Sequence, residues 1–252
     1  MGKPKVLDLF SGIGVFPLVF REFGCEVAHL VEIEPFCQSV LAVRFPGVPI
    51  TPDVRHVNCS AGDYDIITAG FPCQDNSKAG ARKAGLAGAR SGLIWEVLRI
   101  TSQCRPRYLV LENVPNLLYI NEGRDFRAIL WALFQIGFDA EWEVISSCAL
   151  GAPHTRERLF ILAYPHRIDG RERLAFRSQY QGKLPIRDRR AVPKSWRFPP
   201  GGTEQAADGP APLLAKDRIN LLQAIGNSLD CRAASLVASA VMGQTGRFFS
   251  YG

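Results

Sequence analysis

Val6-Leu7-Asp8-Leu9-Phe10-Ser11-Gly12-Ile13-Gly14 opens the chain with an apolar run that ends in two closely spaced glycines. Residues 15–23 follow with helical apolar spacing and stop at Gly24. A buried strand, a glycine turn and a helix in that order make a strand–turn–helix unit, and glycines in such a turn let backbone approach a ligand closely. Working outward, 26–31 reads as a second strand and 35–45 as a second helix closed by Pro46-Gly47. Residues 65–69 and 108–111 are further apolar runs, with helical patterns at 93–101 and 125–136. Two more strands are expected at 138–147 and 159–163. Strands alternating with helices predict an α/β fold with a doubly wound, mostly parallel sheet.

Three segments break this rhythm. Residues 78–92 are rich in Gly, Ala and Arg, too small for a core and too long for an idle turn. Residues 164–212 are basic, rich in Pro and Gly, and carry interleaved aromatics (Tyr164, Phe176, Tyr180, Trp196, Phe198). Residues 216–241 return to helical patterning, interrupted by Gly226-Asn227-Ser228. The expected organisation is a main α/β domain over 1–163, a short basic lobe over 164–212, and a C-terminal helix in 213–252 that returns to the first domain.

At 252 residues and 47% apolar composition the chain is long enough for one large core, and global disorder is excluded. No apolar run approaches the ~20 residues of a membrane span. The N-terminus runs straight into a strand without a signal-peptide pattern, so a cytoplasmic protein is expected. Seven cysteines without CxxC argue against a disulfide framework, and four histidines without metal spacing argue against a metal site. The net charge of +6 is uneven. Residues 164–200 hold ten Lys/Arg and three acids, a net +7, leaving the remainder near −1. Nucleic acid is the natural partner for such a segment, although a solvated loop would look the same.

Four groups of residues carry candidate chemistry. Glu32 stands at the end of the second strand, 18 residues after Gly14, near the spacing of about 20 at which a carboxylate grips a ribose diol. Pro17 stands where a dinucleotide fingerprint needs its third glycine, which favours an adenosyl group over a hydride cofactor. Gly70-Phe71-Pro72-Cys73-Gln74 places a cysteine on a loop at a strand's carboxyl end, where α/β folds keep ligands. Isolated cysteines such as Cys25, Cys104 and Cys148 are expected to be small buried hydrophobes. Glu112, in Leu109-Val110-Leu111-Glu112-Asn113-Val114, ends a strongly apolar strand, where burial should raise its pKa and fit it to act as an acid. A salt-bridged structural carboxylate is the plainer reading. Arg156 and Arg158 flank Glu157 ahead of the last strand, on one face of an extended chain. Two guanidiniums there could hold a base carbonyl and a phosphate, or form an exposed, charge-balanced turn.

Taken in order, these motifs resemble the DNA (cytosine-5)-methyltransferase family. The resemblance rests on residues 8–14, Val31-Glu32-Ile33-Glu34-Pro35-Phe36, Asp53-Val54, Gly70-Phe71-Pro72-Cys73-Gln74, Glu112-Asn113-Val114, Arg156-Glu157-Arg158 and Gly226-Asn227-Ser228. Residues 208–227 are similar to the compact enzymes of phages and mobile elements. The resemblance implies S-adenosylmethionine bound by Phe10, Gly12, Gly14, Glu32, Ile33, Asp53, Val54, Leu93, Asn227 and Ser228. Asp53 would accept from the adenine amino group and Glu32 from the ribose hydroxyls. It implies Cys73 as nucleophile on C6 of cytosine, Glu112 as the acid at N3, and Arg156 and Arg158 as holders of the base. The partner would be duplex DNA with the target base flipped out, the enzyme acting as a monomer. The 78–92 loop would be a lid over the flipped base, with Ser77, Arg82 and Lys83 suited to phosphates. His154 stands where the family usually has glutamine, and Asp75-Asn76 replaces a more apolar pair. An RNA cytosine-5-methyltransferase of the same fold and a catalytically silent DNA-binding homologue are the alternatives. A dinucleotide-dependent oxidoreductase is more distant.

Overall fold

The structure is a computed structural model that describes residues 2–72, 91–150, 156–166 and 229–245. Its centre is a seven-stranded sheet: β1 (Lys5–Leu9), β2 (Glu26–Val31), β3 (Ile50–Thr51), β4 (Ile66–Gly70), β5 (Tyr108–Asn113), β6 (Phe138–Ser146) and β7 (Glu157–Pro165). The spatial order is β3-β2-β1-β4-β5-β7-β6. Strands β1 to β5 are mutually parallel. β7 runs antiparallel between β5 and β6. The doubly wound, mostly parallel sheet read from the sequence is therefore present.

Among the described residues five helices accompany it: α1 (Val15–Glu22), α2 (Pro35–Arg44), α3 (Ile94–Cys104), α4 (Arg124–Gln135) and α5 (Cys231–Thr245). β1, β4 and β5 are buried on both faces along most of their length, which is why their sequences are near-continuous apolar runs rather than alternations. On one face Leu7, Leu9, Ile67, Leu109 and Leu111 pack against α3 and α4 through Val97, Ile100, Ile129 and Leu133. On the other, Val6, Ile66 and Val110 pack against α1 and α5 through Phe16, Phe20, Ala234, Val237 and Val241. The C-terminal helix thus returns to the sheet, with the Cys25 thiol 3.5 Å from Met242 Sδ where α5 lies against the α1 side.

Three features differ from the sequence reading beyond shifts of a few residues at element ends. β3 has two residues, too few for a period-2 pattern to show. The last strand extends through Pro165, so Tyr164 belongs to the sheet rather than to the basic segment. It is buried, and its hydroxyl donates to Glu141 on β6. Cys25 and Cys104 are buried as expected, but Cys148 is exposed. It lies in a short 3-10 turn between β6 and β7 rather than in a core. Cys73, Asp75, Asn76, Ser77, Arg82, Lys83, His154, Asn227, Ser228 and residues 167–228, with most of the 78–92 loop, lie outside the described residues.

The chain leaves β1 toward β2 and β3 on one side and later fills β4 and β5 on the other. That reversal opens a crevice at the carboxyl ends of β1 and β4, where open α/β sheets bind their ligands.

Candidate functional site

The crevice has two halves. The first is built by the turns after β1, β2 and β3. Phe10 has φ +59 and Gly12 φ +54, so the chain folds back on itself immediately beyond β1. A left-handed Phe is strained by roughly 1–3 kcal/mol, and the surrounding bonds hold it. Ser11 N donates to the Val31 carbonyl at 2.9 Å, and Gly14 N to the Ser11 carbonyl at 2.8 Å. The Ser11 hydroxyl donates to the Asp8 carbonyl and accepts from Val31 N. Gly14, with φ +83, has no room for a side chain: a Cβ there would stand 2.7 Å from Phe45 and 2.8 Å from Leu41.

Glu32 locks this loop to β2. Its Oε2 accepts from Gly12 N at 2.6 Å and its Oε1 from Glu34 N at 2.8 Å. Each carboxylate oxygen retains a further lone pair, so the group can still take hydroxyl donors. The next side chain, Ile33, is 62% exposed although it is a large hydrophobe at the mouth of the crevice. Beyond β3, Asp53 starts a 3-10 turn, Val54–His56, accepting from Arg55 N at its own Oδ1. The Arg55 guanidinium grips both Asp53 oxygens and holds the carboxyl at about 2. Val54 is buried, and Leu93 packs against the same core from just ahead of α3.

The second half lies at the ends of β4, β5 and β7. Gly70 pairs with Glu112 in register, and a Cβ on Gly70 would meet Glu112 Oε2 at 3.2 Å. The stem of the Cys73 loop is tied to β5 by Asn113, whose amide donates to the Phe71 carbonyl at 3.0 Å. Arg158 donates from Nε to Glu112 Oε1 at 2.8 Å. Burial pushes Glu112 above its ordinary value, while the Arg158 and Arg156 charges pull it down. Burial dominates. The Arg156 guanidinium is in turn lowered, first by burial and then by Arg158. The structure therefore brings Glu112, Arg156 and Arg158 together around one pocket wall, with the root of the Cys73 loop beside them.

One pair was not singled out in the sequence. Asp8 and Thr68 sit opposite each other in the β1–β4 register, and the Thr68 hydroxyl donates to Asp8 Oδ1. Both are buried, and burial pushes Asp8 up to about 7. The signal was available: each is the one polar residue inside an otherwise apolar strand, at matching positions. Among the described residues no group of His, Cys, Asp or Glu could hold a metal ion, and no helix is long and apolar enough to cross a membrane.

Residues 4–194 match the family model for C-5 cytosine-specific DNA methylases. Type II methyltransferase M2.BsuMI of Bacillus subtilis (strain 168) is 34% identical over 163 residues, which are 63% of this chain and 41% of that protein. Type II methyltransferase M.DsaV of Dactylococcopsis salina is 35% identical over 161 residues, 64% of this chain and 45% of that protein. The chain thus spans less than half the length of these two relatives. The solved structure of the S. pombe Dnmt2 methyltransferase shares the fold with a TM-score of 0.55 at 20% identity, over 72% of this chain and 56% of that one. Since the family match runs from the glycine-loop strand through both arginines into the basic segment, the chain belongs to the C-5 cytosine-specific DNA methylase family.

Proposed function

We propose that the protein methylates C5 of cytosine in duplex DNA, with S-adenosylmethionine as methyl donor and Cys73 as the transient covalent nucleophile. The observation that carries this reading is the position of Glu112. It is a raised, largely buried carboxyl facing Gly70, three residues before Cys73, and bonded to Arg158.

The first half of the crevice fits the cofactor. Glu32 is already held by two backbone N–H groups with lone pairs left for the ribose hydroxyls. Ile33 offers an uncovered apolar surface for a purine face. Asp53 and Val54 stand at the purine edge, and Phe10, Gly12, Gly14 and Leu93 line the remainder. Asn227 and Ser228 complete the set by the family resemblance. When bound, S-adenosylmethionine supplies the electrophilic methyl group.

C5 of cytosine is a poor nucleophile because the ring is electron-poor. Addition of the Cys73 thiolate to C6 makes C5 enamine-like, and the negative charge that develops on the ring falls near N3. Glu112, protonated, donates there and becomes a carboxylate beside Arg158. Arg156 holds the base carbonyl. Methyl transfer to C5 would leave S-adenosylhomocysteine; the C5 proton then passes to solvent water, Cys73 is expelled as the thiolate, and N3 returns its proton to Glu112. A thiol of ordinary pKa ~8.5 is only partly ionised at neutral pH, and neighbouring guanidiniums favour the thiolate. The base reaches these groups only when flipped from the stack, at a cost of a few kcal/mol.

DNA containing 5-fluorocytosine tests the reading, because fluorine cannot leave C5 as a proton does. The protein with S-adenosylmethionine should form a stable covalent complex with such DNA and none with a matching tRNA. Cys73→Ser should bind DNA and form no adduct. A Cys73→Ser protein that still traps the DNA would sink the assignment.

A further inference from the structure

Arg99 lies on α3, about a turn and a half beyond Leu93, and all three nitrogens of its guanidinium donate hydrogen bonds. Nε donates to Glu96 Oε2 at 2.8 Å and one terminal nitrogen to Gln103 Oε1 at 2.9 Å, both on its own helix. The other terminal nitrogen reaches across to the 53–57 turn. It donates to the Val57 carbonyl at 3.0 Å and more weakly to that of Val54 at 3.4 Å. Partners at i−3 and i+4 fix the planar fork on the helix face, so the crossing bond is pre-aimed rather than acquired by a mobile side chain.

The turn it reaches has no other long-range side-chain bond among those described for residues 53–57. Its internal bonds are local: His56 N to the Asp53 carbonyl and Val57 N to the Val54 carbonyl. The Asp53 carboxylate is oriented by this same turn, through Arg55 N and the Arg55 side chain. The turn and the carboxylate are thus bonded into one piece, and Arg99 fastens that piece to the helix beginning beside Leu93.

We propose that Arg99 is a positioning residue for purine recognition, setting through the Val54 and Val57 carbonyls where Asp53 and Val54 present themselves to the 6-amino edge of the nucleoside. This rests on the cofactor reading above. A bond removed at one remove from the ligand is expected to weaken binding roughly tenfold. The loss should be specific to the purine edge, because the ribose is held by Glu32 in the separate turn after β2.

Calorimetric titration of the whole protein with S-adenosylhomocysteine and with its hypoxanthine counterpart, in which an oxo group replaces the amino group, tests this. Wild type should prefer the adenine compound. Arg99→Met should lose affinity for that compound while binding the hypoxanthine one nearly as before, so that the preference collapses. Arg99→Lys, which keeps a cationic donor but not the planar fork, should recover part of it, and Glu96→Gln, which loosens the fork, should fall between. Equal weakening of both ligands, or an unchanged preference in all three variants, overturns the proposal and leaves Arg99 as a packing residue. Should Arg99→Met fail to fold, the Arg99→Lys and Glu96→Gln preferences decide alone. Wild type binding neither compound would overturn the cofactor reading, and this inference with it.

Discussion

Arg158 Nε lies 2.8 Å from Glu112 Oε1, and Glu112 is nonetheless held above the ordinary carboxylate value. An ion pair alone would lower it. The cost of removing the carboxylate from water exceeds the attraction of both arginines. In the proposed reaction this balance favours the protonated acid, with a cation ready for the carboxylate left after proton donation.

Arg158→Gln removes one of the two downward influences and leaves burial in place. Glu112 should rise further, so the alkaline limb of the kcat/KM profile that reports its ionisation should move to higher pH. The plateau should fall, because the base loses a holder. Methyl transfer to DNA measured across pH 5–9 gives both. A limb that stays put or moves down would show that Glu112 is not the titrating acid.

Gly70→Ala probes the same wall from β4. The new methyl would press on Glu112 Oε2 at 3.2 Å, a polar contact that must yield by a few tenths of an ångström. Gly70 carries no left-handed strain, so the fold should tolerate the change. We expect kcat to drop roughly tenfold, since small misplacements at a reacting centre are costly, with the thermal midpoint little changed. Unaltered turnover would mean that the carboxyl has freedom to move without consequence.

Asp8 gives a signature in stability rather than rate. Burial lifts it from an ordinary 3.8 to about 7 in the folded chain. Between those values the folded state binds more protons than the unfolded one, so stability falls as pH rises from about 4 to about 7. Asp8→Asn keeps an acceptor for Thr68 and cannot ionise. The wild type should lose stability across this window relative to the variant, by up to ~1.4 kcal/mol per pH unit. Urea denaturation of both proteins at several pH values measures the difference, and parallel pH dependences would refute it.

The strongly buried parts of the architecture were legible in the chain. β4 and β5 were readable nearly to the residue, because parallel strands covered on both faces must be continuous apolar runs, and the shorter apolar run of β2 was bounded correctly at both ends. Ile50–Thr51 was not, since two residues carry no period and pair only because β2 stands beside them. The insertion of β7 between β5 and β6 was equally hidden, because apolar patterning gives a strand's existence but not its neighbour. In the site, Glu112 announced itself as an acid ending an apolar strand. Arg99 did not. On its helix it looks like an ordinary charged residue with an i−3 acid, and its reach to Val57, 42 positions away, exists only in the folded chain.

The basic segment supplies the last prediction, from sequence and charge. Residues 164–200 carry +7 while the remainder is near neutral. Most basic side chains at a DNA interface grip phosphates, and a few Arg or Lys read base edges. Arg187, Arg189 and Arg190 form the densest cluster of the segment. Replacing all three by Ala should weaken DNA binding and flatten the dependence of log affinity on log salt by roughly 0.9 for each phosphate that is no longer neutralised. Affinity for S-adenosylhomocysteine should be untouched, because the residues proposed for it lie on the turns after β1, β2 and β3 and at the start of α3. Fluorescence anisotropy with a labelled duplex at four or five salt concentrations yields the slope, and calorimetry yields the cofactor affinity. If the triple variant keeps wild-type affinity and slope, the cluster is a solvated surface and the DNA grip resides elsewhere. If the slope flattens while discrimination among duplex sequences persists, these arginines hold the backbone and other residues read the target.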